Sequence, residues 1–394
     1  MNAALQRHDH ATRVDFVVEL AGRLHAYGTT AHRLEGAVTA VATKLGLECG
    51  AWSNPTGMIL SFGEVGQSRL DTVRVVRLSP GETDLYKLCE VDRVAEAVTS
   101  GGLDLEAGHA ALRALDRPGS WRGRAIAIFA FGLSAAAVAG LWRLPWLDIA
   151  TAGVTGLLLG VLDWATHNRP RLKEAGDAIA AMVAGMIAVL VATYIGALNL
   201  NTVNELTNQN LVSGTARFAG AMTTILKLAI GMMVALTAAD MLGMQPEIRA
   251  LRPQPDWVEA LSLLLGTYAF AVLFRANRRD YPLVMLSAAT GYLISRYVGG
   301  AWGSTIGIFL AALTVTAAGN AYARWFNRPG ALVRLPGIIM LVPGSASLRG
   351  LLAVVQQQNM EAGQAAMVAA LNILLALVAG LLFGNILIPT RRNL

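Results

Sequence analysis

The sequence divides into two parts of different chemical character, and this division limits the possible folds. Residues 1–120 have the mixed composition of a soluble domain, whereas the remainder is a series of apolar runs, each roughly 17–25 residues long. A run of that length crosses about 30 Å of hydrocarbon as a helix. Charged residues make up only 15% of the chain and the mean hydropathy is +0.49. We therefore predict an integral membrane protein with a soluble N-terminal head.

The N-terminal part has the patterns of a small α+β domain. Apolar residues recur at helical spacing between Thr12 and Leu47, with an interruption at Gly28-Thr29-Thr30 that predicts two helices, the second capped by Thr29 or Thr30. Two extended runs follow, and two helical patterns close the domain. They cover Met58–Phe62 and Thr72–Leu78, then Leu85–Val98 and Leu105–Leu115. The predicted element order is α-β-β-α-α.

The remainder predicts an all-α polytopic bundle of nine to ten transmembrane helices in two halves, residues 121–245 and 256–394, after a soluble domain at 1–120. Nine apolar runs are clear: about 125–142, 147–164, 178–198, 218–239, 257–274, 282–298, 303–322, 333–355 and 366–388. The first 20 residues lack the apolar segment of a secretory signal. We expect a multi-pass protein of the inner (plasma) membrane whose head is cytoplasmic.

Loop charges orient these runs but leave a conflict of parity. Basic clusters at 165–177, 275–279, 324–334 and 391–392 predict cytoplasmic loops by the positive-inside rule. An odd number of crossings must then lie between residues 178 and 242, where only two apolar runs are visible. We expect either a crossing by the polar stretch 199–214 or a re-entrant helix, and we favour a polar segment embedded in the membrane, where protein or a water-filled cavity satisfies its polar groups.

Polar residues inside apolar runs are the candidate pathway residues. Lys227 lies near the middle of its run, and an intramembrane charge is a functional candidate because it is costly to bury. Asp163 lies at the end of its run, where it can reach the interface. The polar segment before Lys227 offers groups for an amino-acid carboxylate and ammonium: Glu205, Asn208, Ser213 and Arg217.

Two Pro-Gly pairs interrupt the run at 333–355. Pro336-Gly337 and Pro343-Gly344 are seven residues apart, and each proline removes a backbone hydrogen bond. Ser345, Ser347 and Arg349 follow the second pair. Broken helices with polar residues at the break present backbone dipoles to substrates in transporters. Asn320, with Asn372 and Asn385, could line the same cavity, although each alone is better explained as an interhelical hydrogen bond.

Several motifs of enzymes and pumps are missing from the sequence. No Walker A loop, H-E-x-x-H or C-x-x-C is present, and basic residues form no nucleic-acid-binding stripe. We predict no cofactor, no metal site and no nucleic-acid partner. His25, Tyr27, Thr29, Thr30 and His32 cluster at the helix break, and they keep a membrane-anchored hydrolase open as an alternative, although structural capping explains them better.

Three segments resemble the threonine/serine exporter family in its fused two-half form. They are L-H-A-Y-G-T-T-A-H-R-L-E (24–35), N-E-L-T-N-Q-N-L-V-S-G-T-A-R (204–217) and L-V-P-G-S-A-S-L-R-G (341–350). The resemblance covers nearly the whole chain. It implies a cytoplasmic N-terminal domain, two five-helix halves, and export of threonine and serine driven by the proton gradient or membrane potential. One departure lies at 194–200, where Y-I-G-A-L-N-L replaces the Pro-Gly break that the family usually has.

Three functional hypotheses follow. The first is a secondary transporter of small polar amino acids, with protons as coupling ion and a site near Pro343-Gly344 and the Glu205/Lys227 region. The second is a dicarboxylate (succinate-type) exporter, which Arg349, Lys227 and Arg217 would suit. The third is the hydrolase. A homo-oligomer is compatible with each of them.

Overall fold

The computed structural model describes residues 9–64, 72–78, 81, 83–116, 120–166, 169–194, 215–244, 253–341 and 360–389. The soluble domain consists of α1 (His10–Ala26), α2 (Ala31–Lys44), β1 (Leu47–Asn54), β2 (Gly57–Glu64), β3 (Thr72–Arg77), α3 (Leu85–Thr99) and α4 (Leu105–Ala114). Its three strands form one antiparallel sheet in the order β1-β2-β3. The predicted α+β class is therefore confirmed.

The predicted break between the first two helices is confirmed. Gly28 has a φ of 86°, a conformation that glycine adopts without steric cost, and it ends the turn after α1. Thr30 takes the N-cap position of α2, but its side chain makes no capping hydrogen bond. The predicted element order was wrong in one respect, because residues 47–54 form a strand in which Leu47, Cys49 and Ser53 alternate inward.

Nine helices follow in the described part of the membrane region. They are α5 (Trp121–Leu141), α6 (Trp146–Thr166), α7 (Pro170–Tyr194), α8 (Thr215–Met241), α9 (Asp256–Leu273), α10 (Tyr281–Trp302), α11 (Ser304–Phe326), α12 (Ala331–Ile339) and α13 (Met360–Leu387). Six of them contain a segment long and apolar enough to cross a membrane, in α5, α6, α7, α9, α11 and α13. The predicted run at 333–355 begins in α12, and most of it lies beyond the described ranges.

Small residues bring these helices close together. An ideal Cβ built at Gly156 would lie 2.8 Å from the Ala135 Cβ, and one at Gly160 would lie 3.1 Å from the Phe131 Cβ. These two glycines of α6 therefore allow the close approach of α5. The two halves meet along α5 and α9, where an ideal Cβ at Gly266 would lie 3.1 Å from the Ala137 Cβ.

Helices α7 and α8 pack side by side and run parallel. An ideal Cβ at Gly231 would lie 2.9 Å from the Ala181 Cβ, and one at Gly185 would lie 2.9 Å from the Ala235 Cβ. Residue numbers thus rise together along both helices. The end of α7 and the start of α8 therefore lie at opposite ends of the bundle.

Helices α11 and α13 form a second parallel pair. An ideal Cβ at Gly380 would lie 2.6 Å from the Ala312 Cβ, and one at Gly384 would lie 2.7 Å from the Thr316 Cβ. Helices α11 and α13, the third and fifth described helices of the second half, therefore run in the same direction. In the first half, α7 and α8 form a parallel pair of the same kind.

The soluble domain is joined to the second half by continuous packing. One apolar cluster contains the core of the soluble domain together with Ala271, Val284 and Leu332. Helix α3 begins where α9 ends. The backbone N–H groups of Leu85 and Tyr86 donate to the carbonyls of Phe274 and Arg275, at 3.0 and 3.1 Å. Each helix therefore satisfies orphan backbone groups of the other.

Polar contacts extend this junction to the loop between α11 and α12. The Arg328 guanidinium donates to both carboxylate oxygens of Asp280, at 2.6 and 2.8 Å, and the Asn327 amide donates to Glu96 on α3. Asp92 lies beside them, and its Oδ1 atom is buried without a hydrogen-bond partner among the described residues. Burial, with the Glu96 carboxylate adding to it and Arg328 opposing it, raises the pKa of Asp92 to about 7.

This raised pKa predicts that the stability of the folded chain depends on pH. The folded chain holds the Asp92 proton more tightly than the unfolded chain, so the stability contribution is complete below the ordinary pKa of 3.8 and is lost as the pH rises to about 7. The variant Asp92→Asn cannot ionise. We expect it to melt a few degrees above the unsubstituted protein at pH 8 and at the same temperature near pH 4, measured by thermal unfolding of the purified chain.

The control is Asp15→Asn, which removes an exposed carboxylate 3.9 Å from Arg74. Exposed ion pairs contribute little, so this variant should melt with the unsubstituted protein at both pH values. Equal melting of Asp92→Asn and the unsubstituted protein at pH 8 would contradict the buried, ionised Asp92.

Candidate functional site

Most of the polar segments singled out from the sequence lie outside the described residues. These are Glu205, Asn208, Ser213, Pro343, Gly344, Ser345, Ser347 and Arg349, and their roles stay predictions. Arg217 belongs to the first turn of α8. Asp163 lies in the last turn of α6 with an exposed side chain, as its terminal position suggested.

Lys227 lies inside α8 on the side that faces α7. Roughly 18 Å of helix separates it from the start at Thr215. Thr224 and Gly231, which precede and follow it by three and four positions, both contact α7, so Lys227 lies on the same face. The Thr224 hydroxyl is 3.5 Å from the Asp177 carboxylate. Lys227 is itself half-buried, and it lies one helical turn from this contact with an acidic residue of α7.

A second polar cluster connects α11, α12 and α13. Asn320 is 1% exposed, and its amide donates to Asn385 Oδ1 at 2.9 Å and to the Ile388 carbonyl at 2.8 Å. The Arg334 guanidinium lies 3.5 Å from the Asn320 Oδ1 atom. The interhelical hydrogen bond expected for Asn320 and Asn385 is present, whereas Asn372 is exposed on α13 and does not join them.

Gly319 makes room for Arg334. An ideal Cβ at Gly319 would lie 3.2 Å from the Arg334 Cδ atom, so the aliphatic stem of the arginine crosses α11 at this glycine. The stem is thereby packed while the charged head reaches Asn320. In the sequence Arg334 belongs to a basic cluster and resembles a loop charge. The signal for its packed position is that it lies between apolar residues that are buried, Leu332 and Pro336.

The first Pro-Gly pair lies where three helices meet. Pro336 is inside α12, and an ideal Cβ at Gly337 would lie 2.8 Å from Val315 Cγ2 on α11 and 2.9 Å from Ser287 Oγ on α10. The Ser287 hydroxyl donates to the carbonyl of Val333. A side chain from α10 therefore binds the α12 backbone just before the proline, close to the Leu332 carbonyl that the proline leaves without its helical donor.

The opposite end of the bundle carries its own charged contacts. Tyr292 on α10 donates to the Glu259 carboxylate of α9 at 2.9 Å, and the Arg296 guanidinium is 3.2 Å from the same oxygen. The Arg143 guanidinium pairs with Asp256 at 2.5 Å. Sequence reasoning missed both pairs, because their members are far apart in the chain.

Two residues of the hydrolase hypothesis, His25 and Tyr27, have structural partners. His25 is buried, with its Nε2 atom 3.1 Å from the Asn54 carbonyl, and the Tyr27 hydroxyl donates to Asp116 at 3.2 Å. These bonds hold the end of α1 against β1 and the end of α4. His25 and Tyr27 thus have a structural role at the end of α1, whereas the expected capping by Thr29 or Thr30 is not observed, because neither hydroxyl makes a capping hydrogen bond among the described residues.

Comparisons with known proteins identify the family. A family model described as "Putative threonine/serine exporter" matches residues 15–239, and one described as "Threonine/Serine exporter, ThrE" matches residues 259–387. The boundary between the two matches falls between α8 and α9. No solved structure matches the chain.

Individual relatives are distant. A protein of Corynebacterium glutamicum named "Threonine/serine exporter" is 25% identical over 96% of this chain and 83% of its own length. The "Probable threonine/serine exporter" of Mycobacterium tuberculosis is 25% identical over 77% of this chain and 63% of its own length. "Pheromone-regulated membrane protein 10" of Saccharomyces cerevisiae is 25% identical over 90% of this chain. The chain spans about half the length of that yeast relative, 48%. Because the two family matches together cover most of its residues, the chain belongs to the threonine/serine exporter family.

Proposed function

We propose that this protein is a secondary transporter that exports threonine and serine across the inner membrane, driven by the proton gradient or the membrane potential. Family membership supports the substrate class. The observation that carries the transport mechanism is the repeated pair of parallel helices, α7 with α8 and α11 with α13. A pair of related halves around a central site is the architecture of many secondary transporters.

The repeat predicts ten crossings. We infer a further crossing between Tyr194 and Thr215, because these two residues lie at opposite ends of the parallel pair. This crossing would supply the odd number of crossings that the loop charges require between residues 178 and 242. Each half then has five crossings, residues 121–245 and 256–394, and the second half is inverted relative to the first. The substrate site of such a transporter lies between its halves, and we propose that it includes the Lys227 region and the Pro343-Gly344 break.

The soluble domain is proposed to face the cytoplasm. It packs on the end of the bundle that carries Arg275, Arg278, Arg279 and Arg328. An excess of arginine marks cytoplasmic loops. Arg143 alone lies in the short loop at the opposite end between α5 and α6.

Cysteine accessibility tests this topology. In a background with Cys49 and Cys89 replaced by alanine, we expect Tyr194→Cys, Met241→Cys and Pro253→Cys to react with an impermeant maleimide from outside intact cells. Arg324→Cys should react only after permeabilisation, because it lies at the end of the bundle that contacts the soluble domain. Labelling of Tyr194→Cys and Met241→Cys from opposite sides would contradict the parallel pair and the ten crossings.

Efflux from proteoliposomes tests the function. Vesicles preloaded with labelled threonine should release it faster than protein-free vesicles when a proton gradient or a potassium diffusion potential is imposed. Serine inside the vesicles should compete with threonine. Competition by succinate instead of serine would favour the dicarboxylate hypothesis, and no release under either gradient would contradict export.

A further inference from the structure

A cavity of about 280 Å³ opens on the surface of the second half, between the start of α10 and the end of α11. The two helices are joined by the single residue Gly303 and run antiparallel, so the start of one lies beside the end of the other. Leu283 of α10 and Phe326 of α11 line the cavity at this end. Its inner wall includes Ser287 and Val315, which belong to the contact between α10, α11 and α12.

The lining of this cavity suits a hydrocarbon chain better than a polar solute. Most of the lining side chains are apolar, and each of its three alcohol side chains donates to a backbone carbonyl; these are Ser287, Thr290 and Thr314. The Tyr322 hydroxyl accepts from the Arg328 guanidinium at 3.2 Å. A molecule such as threonine would therefore receive no hydrogen bond from the three alcohols, whereas a hydrocarbon chain would bury apolar surface there.

The cavity opens where lipid surrounds the bundle. The apolar side chains at its opening are largely exposed, Leu286 to 66%, Trp325 to 81% and Phe326 to 63%. Helix α11 contains an apolar segment long enough to cross a membrane, and Trp325 lies in its last turn. Tryptophan is enriched at the level where the hydrocarbon meets the headgroups. The opening therefore extends from the hydrocarbon to the headgroup region.

Two exposed arginines lie beside the headgroup end of the cavity. Arg279 precedes the lining residue Leu283 by four positions, and Arg324 follows the lining residue Ala321 by three. Within the described ranges, neither has an acidic partner. Arg328 of the same region is already paired with a carboxylate, that of the residue before α10. The mouth of the cavity thus has two positive charges available to an anion.

We propose that this cavity is a binding site for an anionic phospholipid, with an acyl chain between α10 and α11 and the phosphate at Arg279 and Arg324. The guanidinium group forms paired, charge-assisted hydrogen bonds with phosphate. Basic pockets between membrane helices bind anionic headgroups in the same way. A zwitterionic lipid would fill the apolar part equally but would gain less from the two arginines.

The position of the site gives the lipid an effect on the soluble domain. The loop that follows α11 contains Asn327, which donates to Glu96 of α3, and Arg328, which binds Asp280. A lipid held against the end of α11 would stabilise this loop and, through it, the contact with the soluble domain. Lipid binding does not depend on the proposed transport; only the leaflet, the cytoplasmic one, rests on the proposed topology.

Thermal unfolding of the purified full chain in neutral detergent tests the site. The melting temperature should rise saturably with phosphatidylglycerol, less with phosphatidylcholine of the same acyl chains, and not with glycerol phosphate, which lacks the chains. In the double variant Arg279→Gln with Arg324→Gln, the half-saturating concentration of phosphatidylglycerol should increase about tenfold, because each arginine contributes to the affinity for an anionic headgroup. In Ala318→Trp the rise should be absent, because the indole fills the cavity.

The matched controls are Arg122→Gln and Val368→Trp. Arg122 lies over Trp121 at the start of α5, and Val368 is 56% exposed on α13, so both are surface positions away from the cavity. Both variants should respond to phosphatidylglycerol as the unsubstituted protein does.

Three results would overturn the site. They are equal responses to the two lipids, a response to glycerol phosphate alone, and an unchanged response in the double arginine variant. A particle of two chains that becomes a single chain in Ala318→Trp would assign the cavity to a second copy instead. Arg279 and Arg324 are exposed, so their double variant decides the matter even if Ala318→Trp fails to fold.

Discussion

Replacing Lys227 by alanine is expected to reduce threonine efflux at least tenfold without lowering the amount of inserted protein. A charged residue inside a membrane helix is costly to insert, so removal of Lys227 should not hinder insertion. Lys227 lies on the α7-facing side of α8, level with Asp177, which is two residues inside the apolar segment of α7 that begins at Ala175. A charge held between two membrane helices is expected to belong to the substrate or proton pathway.

The matched controls are Lys227→Arg and Thr237→Ala. The arginine keeps the positive charge and should retain part of the efflux, whereas Thr237 lies exposed on the same helix and should be replaceable without effect. Efflux of preloaded threonine from proteoliposomes, normalised to the reconstituted protein, gives the comparison. Unchanged efflux in Lys227→Ala would remove Lys227 from the pathway.

Replacing Gly337 by alanine is expected to destabilise the second half, and replacing it by valine to prevent folded protein from accumulating. A Cβ at this position would overlap Val315 of α11 and Ser287 of α10. A shift of α12 that moves this Cβ away from Val315 brings it closer to Ser287. Pro336, which precedes Gly337, limits the adjustment of the backbone. Overpacking of a core costs about 1–3 kcal/mol, and here three helices share the strain.

Gly300 provides the opposite control. No atom lies within 4 Å of an ideal Cβ at Gly300, and it is also in a helix, so Gly300→Ala should raise the melting temperature slightly. The double variant Gly337→Ala with Val315→Ala should recover much of the loss, because it removes the methyl groups that clash. Equal melting of Gly337→Ala and the unsubstituted protein would contradict the three-helix contact.

The helical membrane architecture could be predicted from the sequence because its signal is local. Uninterrupted apolar runs gave the helices from α5 to α11 to within a few residues at most ends. The strand at Leu47–Asn54 was missed because its alternation follows a helix without a strong turn signal, apart from Gly46, whose φ is 76°. Propensity alone does not separate such a strand from the end of a helix.

The candidate sites could be predicted only in part. Lys227 and Asn320 stood out because single polar residues interrupt apolar runs. Arg334 did not stand out, because it has an ordinary explanation in sequence as a loop charge. Its contact with Asn320 depends on how α12 packs on α11, which no local pattern encodes.

The end-to-end contact between α9 and α3 has a mechanical consequence. Backbone hydrogen bonds join the last carbonyls of a membrane helix to the first N–H groups of a helix outside the membrane, and Asp84 ties the same end to Arg275 at 3.6 Å. A change in the tilt of α9, the helix that also contacts the first half through α5, is therefore expected to move the start of α3 and the soluble domain with it.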